Sequence, residues 1–173
     1  MSVVHDGIRT EVCKPDPDAE LPLPNGKILT RSDEIITYVT RNLEPYRGFD
    51  VFCAALPEIM KRRPNAHIVL IGGDETSYGT KPRDARNWRE RVFKDIQIDP
   101  DRIHFMGRVP YSLYLKVIQV SRVHVYLTYP FVLSWSMLES MSAGCALVAS
   151  STAPVREVLV DRESGLLVDF FDK

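Results

Sequence analysis

The chain has 173 residues, 45% of them hydrophobic and 26% charged, which is typical of one soluble globular domain with a sizeable core. The formal net charge of −1 gives no electrostatic reason to expect nucleic acid as a partner. No apolar run reaches the roughly 18 residues of a membrane span, and no secretory signal pattern opens the chain. Three widely separated cysteines favour a reduced, cytoplasmic setting over a disulfide framework or a thiolate metal site.

Residues 1–34 are predicted to be a connector and the start of a domain. Because this segment contains Pro15, Pro17, Pro22 and Pro24, extended chain is favoured over packed helix. Residues 35–173 are predicted to form the folded domain. A connector-like start, and a last strand with no helix after it, lead us to expect that the chain is half of a larger protein.

From residue 35 onward, short apolar strands alternate with helices. The predicted strands are Ile35–Val39, His67–Ile71, Ile103–Met106, Val123–Thr128, Ala146–Ser150 and Gly165–Val168. The predicted helices are Phe49–Arg63, Asp84–Asp95, Pro110–Ser121, one that opens at Ser134, and Val155–Val160. Pro57 lies inside the first helix, where we expect a kink or a late start. The alternation predicts an α/β fold with a doubly wound parallel sheet.

The strand–loop–helix around Ser134 carries the strongest functional signal. Unpaired backbone N–H groups and the positive end of the helix dipole would face a ligand above the sheet, which suits an anion. Glu139 follows in the second turn, where a carboxylate suits vicinal hydroxyls such as those of a ribose. Phosphate and ribose together indicate a nucleotide. The alternative is that Ser134 is only an N-cap and that Glu139 caps the dipole or pairs with a lysine.

Arg41 and Arg47 lie in the segment 40–48, directly after the first strand of the predicted sheet. Ligands of open parallel sheets bind beyond the carboxyl ends of the strands, and arginine is well shaped for bidentate contact with phosphate oxygens. Ordinary surface pairing with Glu44 or Asp50 is the other interpretation, and the sequence leaves both open.

Gly72 and Gly73 follow the second predicted strand, where they permit either a close ligand or a plain tight turn. No G-x-G-x-x-G motif follows the first strand, which disfavours a nicotinamide or flavin cofactor. No P-loop and no nucleophile elbow are present, so the sequence supports neither a P-loop nucleotidase nor an acyl-transfer hydrolase.

Four segments carry family motifs in the expected order across nearly the whole chain. They are VVHDGIRTEVCKPD, TRNLEPYRGFDVFCAALPEIMKRRPNAHIVLIGG, IHFMGRVPYSLYLKVIQVSRVHVYLTYP and LESMSAGCALVASSTAPVREVLVDRESGLLV. Together they resemble the C-terminal, donor-binding domain of the family 4 retaining glycosyltransferases (glycosyl transferases group 1). That resemblance implies a Rossmann-like domain that is one half of a two-domain GT-B fold.

The resemblance also implies roles for individual residues. Arg41 and Arg47 would hold the diphosphate of the donor, and Glu139, which matches the second acid of the family's E-x7-E pair, would bind the ribose. Further donor contacts would come from Gly73, from backbone groups of Leu133, Ser134 and Trp135 at the phosphates, and from backbone groups of Arg108 and Val109 at the base. No metal and no cofactor are implied, and the donor substrate is a nucleoside-diphosphate sugar such as a UDP or GDP sugar.

Three departures from the family pattern concern the donor sugar. Phe131 stands where the first acid of the pair is expected, Val132-Leu133-Ser134 replaces G-F-G, and Ala153-Pro154 replaces a glycine pair.

The function implied by the resemblance is transfer of a sugar from a nucleotide sugar to an acceptor, with retention at the anomeric carbon. The acceptor, a sugar or glycolipid of polysaccharide or glycoconjugate synthesis, would bind an N-terminal domain absent from this chain, so the fragment alone should bind nucleotide without turnover. We expect a cytoplasmic protein, with any peripheral contact at the inner membrane face made by the missing domain. One alternative is a non-catalytic nucleotide-sugar-binding module, which Phe131 favours. The other is a nucleotide-sugar epimerase of the same fold, which would need acid and base side chains in the cleft.

Overall fold

The computed structural model describes residues 4–129 and 133–172. Within these residues the strands are β1 (Glu20–Pro22), β2 (Ile28–Thr30), β3 (Ile35–Asn42), β4 (His67–Gly73), β5 (Ile103–Gly107), β6 (Val123–Tyr126), β7 (Ala146–Ser150) and β8 (Leu166–Val168). The helices are α1 (Phe49–Arg62), α2 (Trp88–Phe93), α3 (Tyr111–Val120), α4 (Trp135–Ser142) and α5 (Ala153–Arg156), with a 3₁₀ helix at Pro45–Arg47.

Strands β3 to β8 form one parallel sheet in the order β5-β4-β3-β6-β7-β8. The chain enters this sheet at the central strand β3 and adds β4 and β5 on one side. It then returns to the centre and adds β6, β7 and β8 on the other side. This order confirms the predicted doubly wound sheet, and its switch point lies between β3 and β6. Strand β3 continues to Asn42, beyond the predicted end at Val39, so Arg41 lies on the strand rather than in the loop after it.

The proline-rich start is extended, as expected, but it is not a loose connector. Strands β1 and β2 pair as an antiparallel hairpin in which Leu21 lies opposite Leu29. Both leucines are fully buried and belong to the same core cluster as Val117 and Ile118 of α3. Burying a leucine side chain contributes about 1.5–3 kcal/mol, so this hairpin is part of the folded domain. Whether residues 1–34 also connect to another domain stays a prediction.

Helix α1 packs one apolar face on the sheet, and its buried residues are Phe49, Phe52, Cys53, Leu56 and Met60. The helix begins at Phe49, so of the two effects expected from Pro57 the late start is wrong, and the kink stays a prediction. Gly48 makes that start possible: its φ is +70°, and a Cβ there would lie 2.4 Å from the Cβ of Leu127. None of the helices in the described ranges is both long and apolar enough to cross a bilayer.

Two helices differ from their predicted bounds by more than one residue at an end, and their caps account for where they begin. Helix α2 begins at Trp88 rather than Asp84, since the side chain of Asn87 accepts a hydrogen bond from the Glu90 amide at 2.8 Å and fixes the first turn there. Helix α5 spans Ala153–Arg156 rather than Val155–Val160, because extended Thr152 precedes it and Pro154 occupies its first turn.

Candidate functional site

A cleft of about 620 Å³ opens at the carboxyl edge of the sheet, beside the switch point between β3 and β6. Because the strands are parallel, the segments that follow them meet at this edge. The cleft is lined by residues 7–9 of the N-terminal segment, by the end of β3, and by helices α3 and α4. Its side chains that bear on chemistry are Arg41, Tyr111, Tyr114, Ser134, Trp135 and Glu139.

The structure therefore brings four of the predicted site residues together. Arg41 is exposed at the end of β3, and Trp135, in the first turn of α4, is 60% exposed. Ser134 is the N-cap of α4, and its Oγ accepts a hydrogen bond from the Ser136 amide at 3.3 Å. The Ser134 amide itself donates to the hydroxyl of Tyr126 at 3.0 Å. Ser134 is thus an N-cap, as the alternative interpretation held, and also lines the cleft.

Glu139 projects from the second turn of α4 into the cleft, where its partners are tyrosines rather than a lysine. The hydroxyl of Tyr111 donates to Oε1 and that of Tyr114 donates to Oε2, each at 2.7 Å. The buried thiol of Cys13 lies 3.6 Å from Oε1. Both carboxylate oxygens are therefore held by side chains from other parts of the chain.

The two tyrosines stay protonated and so act as donors. Burial, with the hydrogen bond to Glu139 next, raises the pKa of Tyr114 far above its usual value. The hydrogen bond with Cys13, together with burial and Glu139, raises the pKa of Tyr111. Sequence reasoning missed both residues, because no local motif shows that α3 crosses beside α4.

Arg47 lies at the same edge of the sheet but does not line this cleft. Its Nη1 donates to Oγ1 of Thr128 at 3.2 Å, and its guanidinium lies 5.0 Å from the centre of the Tyr78 ring. Its carbonyl accepts a 2.6 Å hydrogen bond from Tyr38. Thr128 follows β6, so Arg47 reaches toward the loop between β6 and α4, which the resemblance assigns to phosphate.

Glu44 is a structural residue that sequence reasoning treated only as a surface ion-pair partner. It is fully buried, and its carboxylate accepts hydrogen bonds of 3.1–3.4 Å from the amides of Ser77, Tyr78 and Gly79. These bonds attach the loop after β4 to the turn after β3. Since Tyr78 lies under the guanidinium of Arg47, Glu44 also helps to place that arginine.

The other predicted donor contacts, Gly73, Arg108, Val109 and Leu133, do not line this cleft. A Cβ on Gly73 would be 2.6 Å from Oδ1 of Asn42 and 2.9 Å from Nε of Arg108, so this glycine permits close packing of two side chains. Arg108 donates to Asn42 and pairs with Glu75, while Val109 packs against the core. Leu133 and Trp135 line a neighbouring cavity of about 500 Å³. Phe131 and Val132 lie outside the described residues.

The chemistry of the cleft follows from these groups. A guanidinium and the N-terminal turn of a helix attract an anion, and a carboxylate nearby accepts hydrogen bonds from hydroxyls. Within residues 4–129 and 133–172, no three His, Cys, Asp or Glu side chains converge as a set of metal ligands. The arrangement suits a ligand that carries both a phosphate group and two vicinal hydroxyls.

Comparison with known proteins decides the family. Residues 33–173 match the family described as Glycosyl transferases group 1. The chain belongs to this family. The match confirms the resemblance drawn from the sequence motifs, and it includes every residue assigned to the cleft except those of the N-terminal segment.

The chain matches only part of the length of two curated relatives. It is 29% identical to a phosphatidyl-myo-inositol mannosyltransferase of Mycolicibacterium smegmatis, over 89% of this chain and 36% of that protein. It is 25% identical to a D-inositol 3-phosphate glycosyltransferase of Acidothermus cellulolyticus, over 98% of this chain and 37% of that protein. The chain thus spans about a third of the length of these relatives.

Solved structures share the fold. A sucrose-phosphate synthase of Thermosynechococcus elongatus superimposes with a TM-score of 0.72 at 22% identity, over 96% of this chain and 39% of that one. The C-terminal domain of a group 1 glycosyl transferase (LpcC) of Francisella tularensis gives 0.72 at 22% identity, over 94% of this chain and 80% of that one. HepE of Anabaena in complex with UDP-glucose superimposes with a TM-score of 0.72 at 15% identity, over 97% of this chain and 43% of that one. The chain has the Rossmann-like fold that occurs in GT-B glycosyltransferase structures.

Proposed function

We propose that this domain binds the donor of a retaining glycosyltransferase, a nucleoside-diphosphate sugar, in the cleft at the carboxyl edge of its sheet. One observation carries the proposal: Arg41, the first turn of α4 and Glu139 face the same cavity in a member of the group 1 family. The HepE complexes with UDP and with UDP-glucose, which share the fold, support a uridine or similar nucleotide as the ligand class.

The orientation of the donor follows from the charges. The diphosphate would lie between Arg41 and the N-terminal turn of α4, with Arg47 approaching from the β6–α4 side. The ribose would place its two hydroxyls on the Glu139 carboxylate. The backbone of Arg108 and Val109, together with Gly73, would border the base, and the backbone of Leu133 and Trp135 would add phosphate contacts.

In sugar transfer, the bond between the anomeric carbon and the phosphate oxygen breaks, and negative charge develops on the nucleoside diphosphate. Arg41 and Arg47 would stabilise that charge as it forms, with the dipole of α4 adding to them. The residues are placed before the reaction begins: Thr128 and Tyr78 hold the Arg47 guanidinium, and β3 fixes the backbone of Arg41. Preorganised charges of this kind lower the barrier without moving at the moment of bond breaking.

The acceptor would bind a second domain, as the greater length of the relatives suggests. A sugar or a glycolipid fits the class of reaction, and the longer protein would be the active transferase, working in the cytoplasm or at the inner face of a membrane. Transfer by that protein from any nucleotide sugar would exclude a non-catalytic binding module, and the family match does not favour an epimerase.

Isothermal titration of this domain with UDP, GDP and ADP tests the proposal and selects the base. We expect one of the three to bind, and Arg41→Ala and Glu139→Ala each to weaken that binding by about 10-fold or more, the loss expected when a charged hydrogen-bond partner is removed.

Arg122→Ala is the matched control for Arg41→Ala. Arg122 is also exposed, but it precedes β6 and so lies at the opposite, amino edge of the sheet. Its loss should leave the affinity unchanged. If none of the three nucleotides binds the wild-type domain, or if Arg41→Ala and Arg122→Ala behave alike, the proposed site is wrong.

A further inference from the structure

The carboxylate of Glu139 is held from three directions before any ligand arrives. Tyr111 and Tyr114 of α3 donate to different oxygens at 2.7 Å, and the Cys13 thiol lies 3.2 Å from the Tyr111 hydroxyl and 3.6 Å from Oε1. Helices α3 and α4 and the N-terminal segment thus converge on one side chain.

We infer that Tyr114 and Tyr111 are positioning residues that fix the Glu139 carboxylate so that it selects a ribose over a 2′-deoxyribose. This inference rests on the proposed function, since it assumes that a nucleotide occupies the cleft. The tyrosines act through Glu139, and their own contact with the nucleotide is not required.

Counting lone pairs shows that the tyrosines orient the carboxylate without blocking it. An ionised carboxylate has about four acceptor sites, two on each oxygen. One tyrosine hydroxyl occupies one site on each oxygen. Because the only hydroxyl proton of Tyr111 goes to Oε1, the thiol of Cys13 is the donor in its 3.2 Å contact with the Tyr111 oxygen, so a second site on each carboxylate oxygen is left for a ligand. Two vicinal hydroxyls can therefore bind the same carboxylate side by side, which is the geometry that a ribose offers and a 2′-deoxyribose lacks.

The two tyrosines differ in how firmly they are held. Tyr114 is 8% exposed and packs in the core cluster of α3, whereas Tyr111 is 50% exposed at the rim of the cleft. Their ring centroids are 5.6 Å apart. Tyr114 therefore provides the fixed anchor for Oε2, and Tyr111 the more adjustable partner for Oε1. We expect loss of the Tyr114 hydroxyl to have the larger effect.

The test compares each nucleoside diphosphate that binds the wild-type domain with its 2′-deoxy form, by titration calorimetry. The wild type should prefer the ribose form by about 10-fold. Tyr114→Phe should weaken binding of the ribose form by about 3- to 10-fold and leave the 2′-deoxy form within about 2-fold of wild type. Tyr111→Phe should do the same to a smaller extent.

Two controls separate positioning from a general effect on structure. Tyr46→Phe removes the hydroxyl of another half-exposed tyrosine, which packs on Tyr129 outside the cleft, and should change neither affinity. In a Glu139→Ala background, Tyr114→Phe should cause no further loss, because its effect passes through the carboxylate.

The outcomes are distinct. Equal weakening of the ribose form and the 2′-deoxy form by Tyr114→Phe, or an undiminished effect in the Glu139→Ala background, would overturn the inference while leaving the proposed function in place. Absence of any nucleotide binding by the wild-type domain would overturn both. If Tyr114→Phe does not fold, Tyr111→Phe on the exposed rim carries the same comparison.

Discussion

The amino and carboxyl edges of the sheet use polar side chains in opposite ways. At the amino edge, Lys27 donates to Nε2 of His67 at 2.7 Å, so Nδ1 of His67 carries the proton and donates to Nε2 of His104 at 3.0 Å. Nearby, Arg102 donates to the carbonyl oxygens of Arg63 and Pro64. At the carboxyl edge, Arg41 and the Glu139 carboxylate face a cleft.

The difference separates groups that stabilise the fold from groups that are available to a ligand. The four side chains of Lys27, His67, His104 and Arg102 at the amino edge have hydrogen-bond partners within the fold and connect the ends of strands. Those at the carboxyl edge include some with the same role, above all Glu44, but others are presented to solvent beside a helix N-terminus. Changes at the amino edge and at Glu44 should therefore affect stability, whereas changes at Arg41 and Glu139 should affect binding.

The largest expected effect is structural and lies at the carboxyl edge. Glu44→Ala removes the fully buried carboxylate that accepts hydrogen bonds from three backbone amides, so the free energy of unfolding should fall by about 3 kcal/mol or more. Urea unfolding measures this change. Glu58→Ala, which removes a surface partner of Arg62, should cost about 0.5 kcal/mol or less. Similar losses for the two variants would show that Glu44 does not hold the loop.

Acid should destabilise the amino side of the sheet. Burial lowers the pKa of His104 and of His124 to about 4, whereas histidine in the unfolded chain titrates near 6.5. The unfolded state therefore binds more protons between these values, and stability present above pH 6.5 is lost as the pH falls toward 4. Each histidine should lower the free energy of unfolding by about 2 kcal/mol between pH 7 and pH 5.

Urea unfolding at the two pH values checks this expectation. His104→Gln keeps a neutral side chain that does not titrate, so its stability should depend less on pH than that of the wild type. A wild-type stability that does not change between pH 7 and pH 5 would contradict the account of buried, neutral histidines.

A smaller effect is expected from the surface pair of Glu34 and Arg63 at the amino edge, where Arg63 donates to both carboxylate oxygens at 2.8 and 3.1 Å. Glu34→Ala should lower the free energy of unfolding by no more than about 1 kcal/mol, because solvent screens the pair: the Arg63 side chain is 62% exposed and that of Glu34 is 40% exposed. Its nucleotide affinity should equal that of the wild type in a calorimetric titration. A loss of affinity would show that the two edges are not independent.

The smallest expected change is spectroscopic. Trp135 is 60% exposed at the cleft, while Trp88 lies elsewhere with its indole N–H on the carbonyl of Thr80. Nucleotide binding should alter the fluorescence of Trp135 and leave the fold unchanged. The signal should persist in Trp88→Phe and disappear in Trp135→Phe; the reverse would place the nucleotide near α2.

Regular elements with strong local signals could be predicted from the sequence. The strand Ala146–Ser150 has its predicted bounds, because an apolar run there is preceded by Gly144, which ends the helix with a φ of +81°. The β1–β2 hairpin was missed, since its strands have three residues each and prolines surround them. The boundary of α2 depended on one side-chain cap at Asn87, which composition alone does not reveal.

Residues that line the candidate cleft could be predicted where they lie at the end of a strand, or at the N-cap or in the first two turns of a helix. Arg41, Ser134, Trp135 and Glu139 were found in this way and meet at one cleft. The tyrosines that hold Glu139 come from a helix 25 and 28 residues away in sequence, and only the crossover from β5 to β6 brings them together. The burial of Glu44 likewise depends on a loop more than 30 residues distant.

The most direct test of the donor cleft is a crystal structure of the domain with the nucleoside diphosphate that binds it most tightly. We predict phosphate oxygens within about 3 Å of the Arg41 guanidinium, with the ribose hydroxyls at the same distance from the Glu139 carboxylate. A nucleotide bound away from the carboxyl edge, with Arg41 turned outward and Glu139 contacting only its tyrosines, would contradict the account.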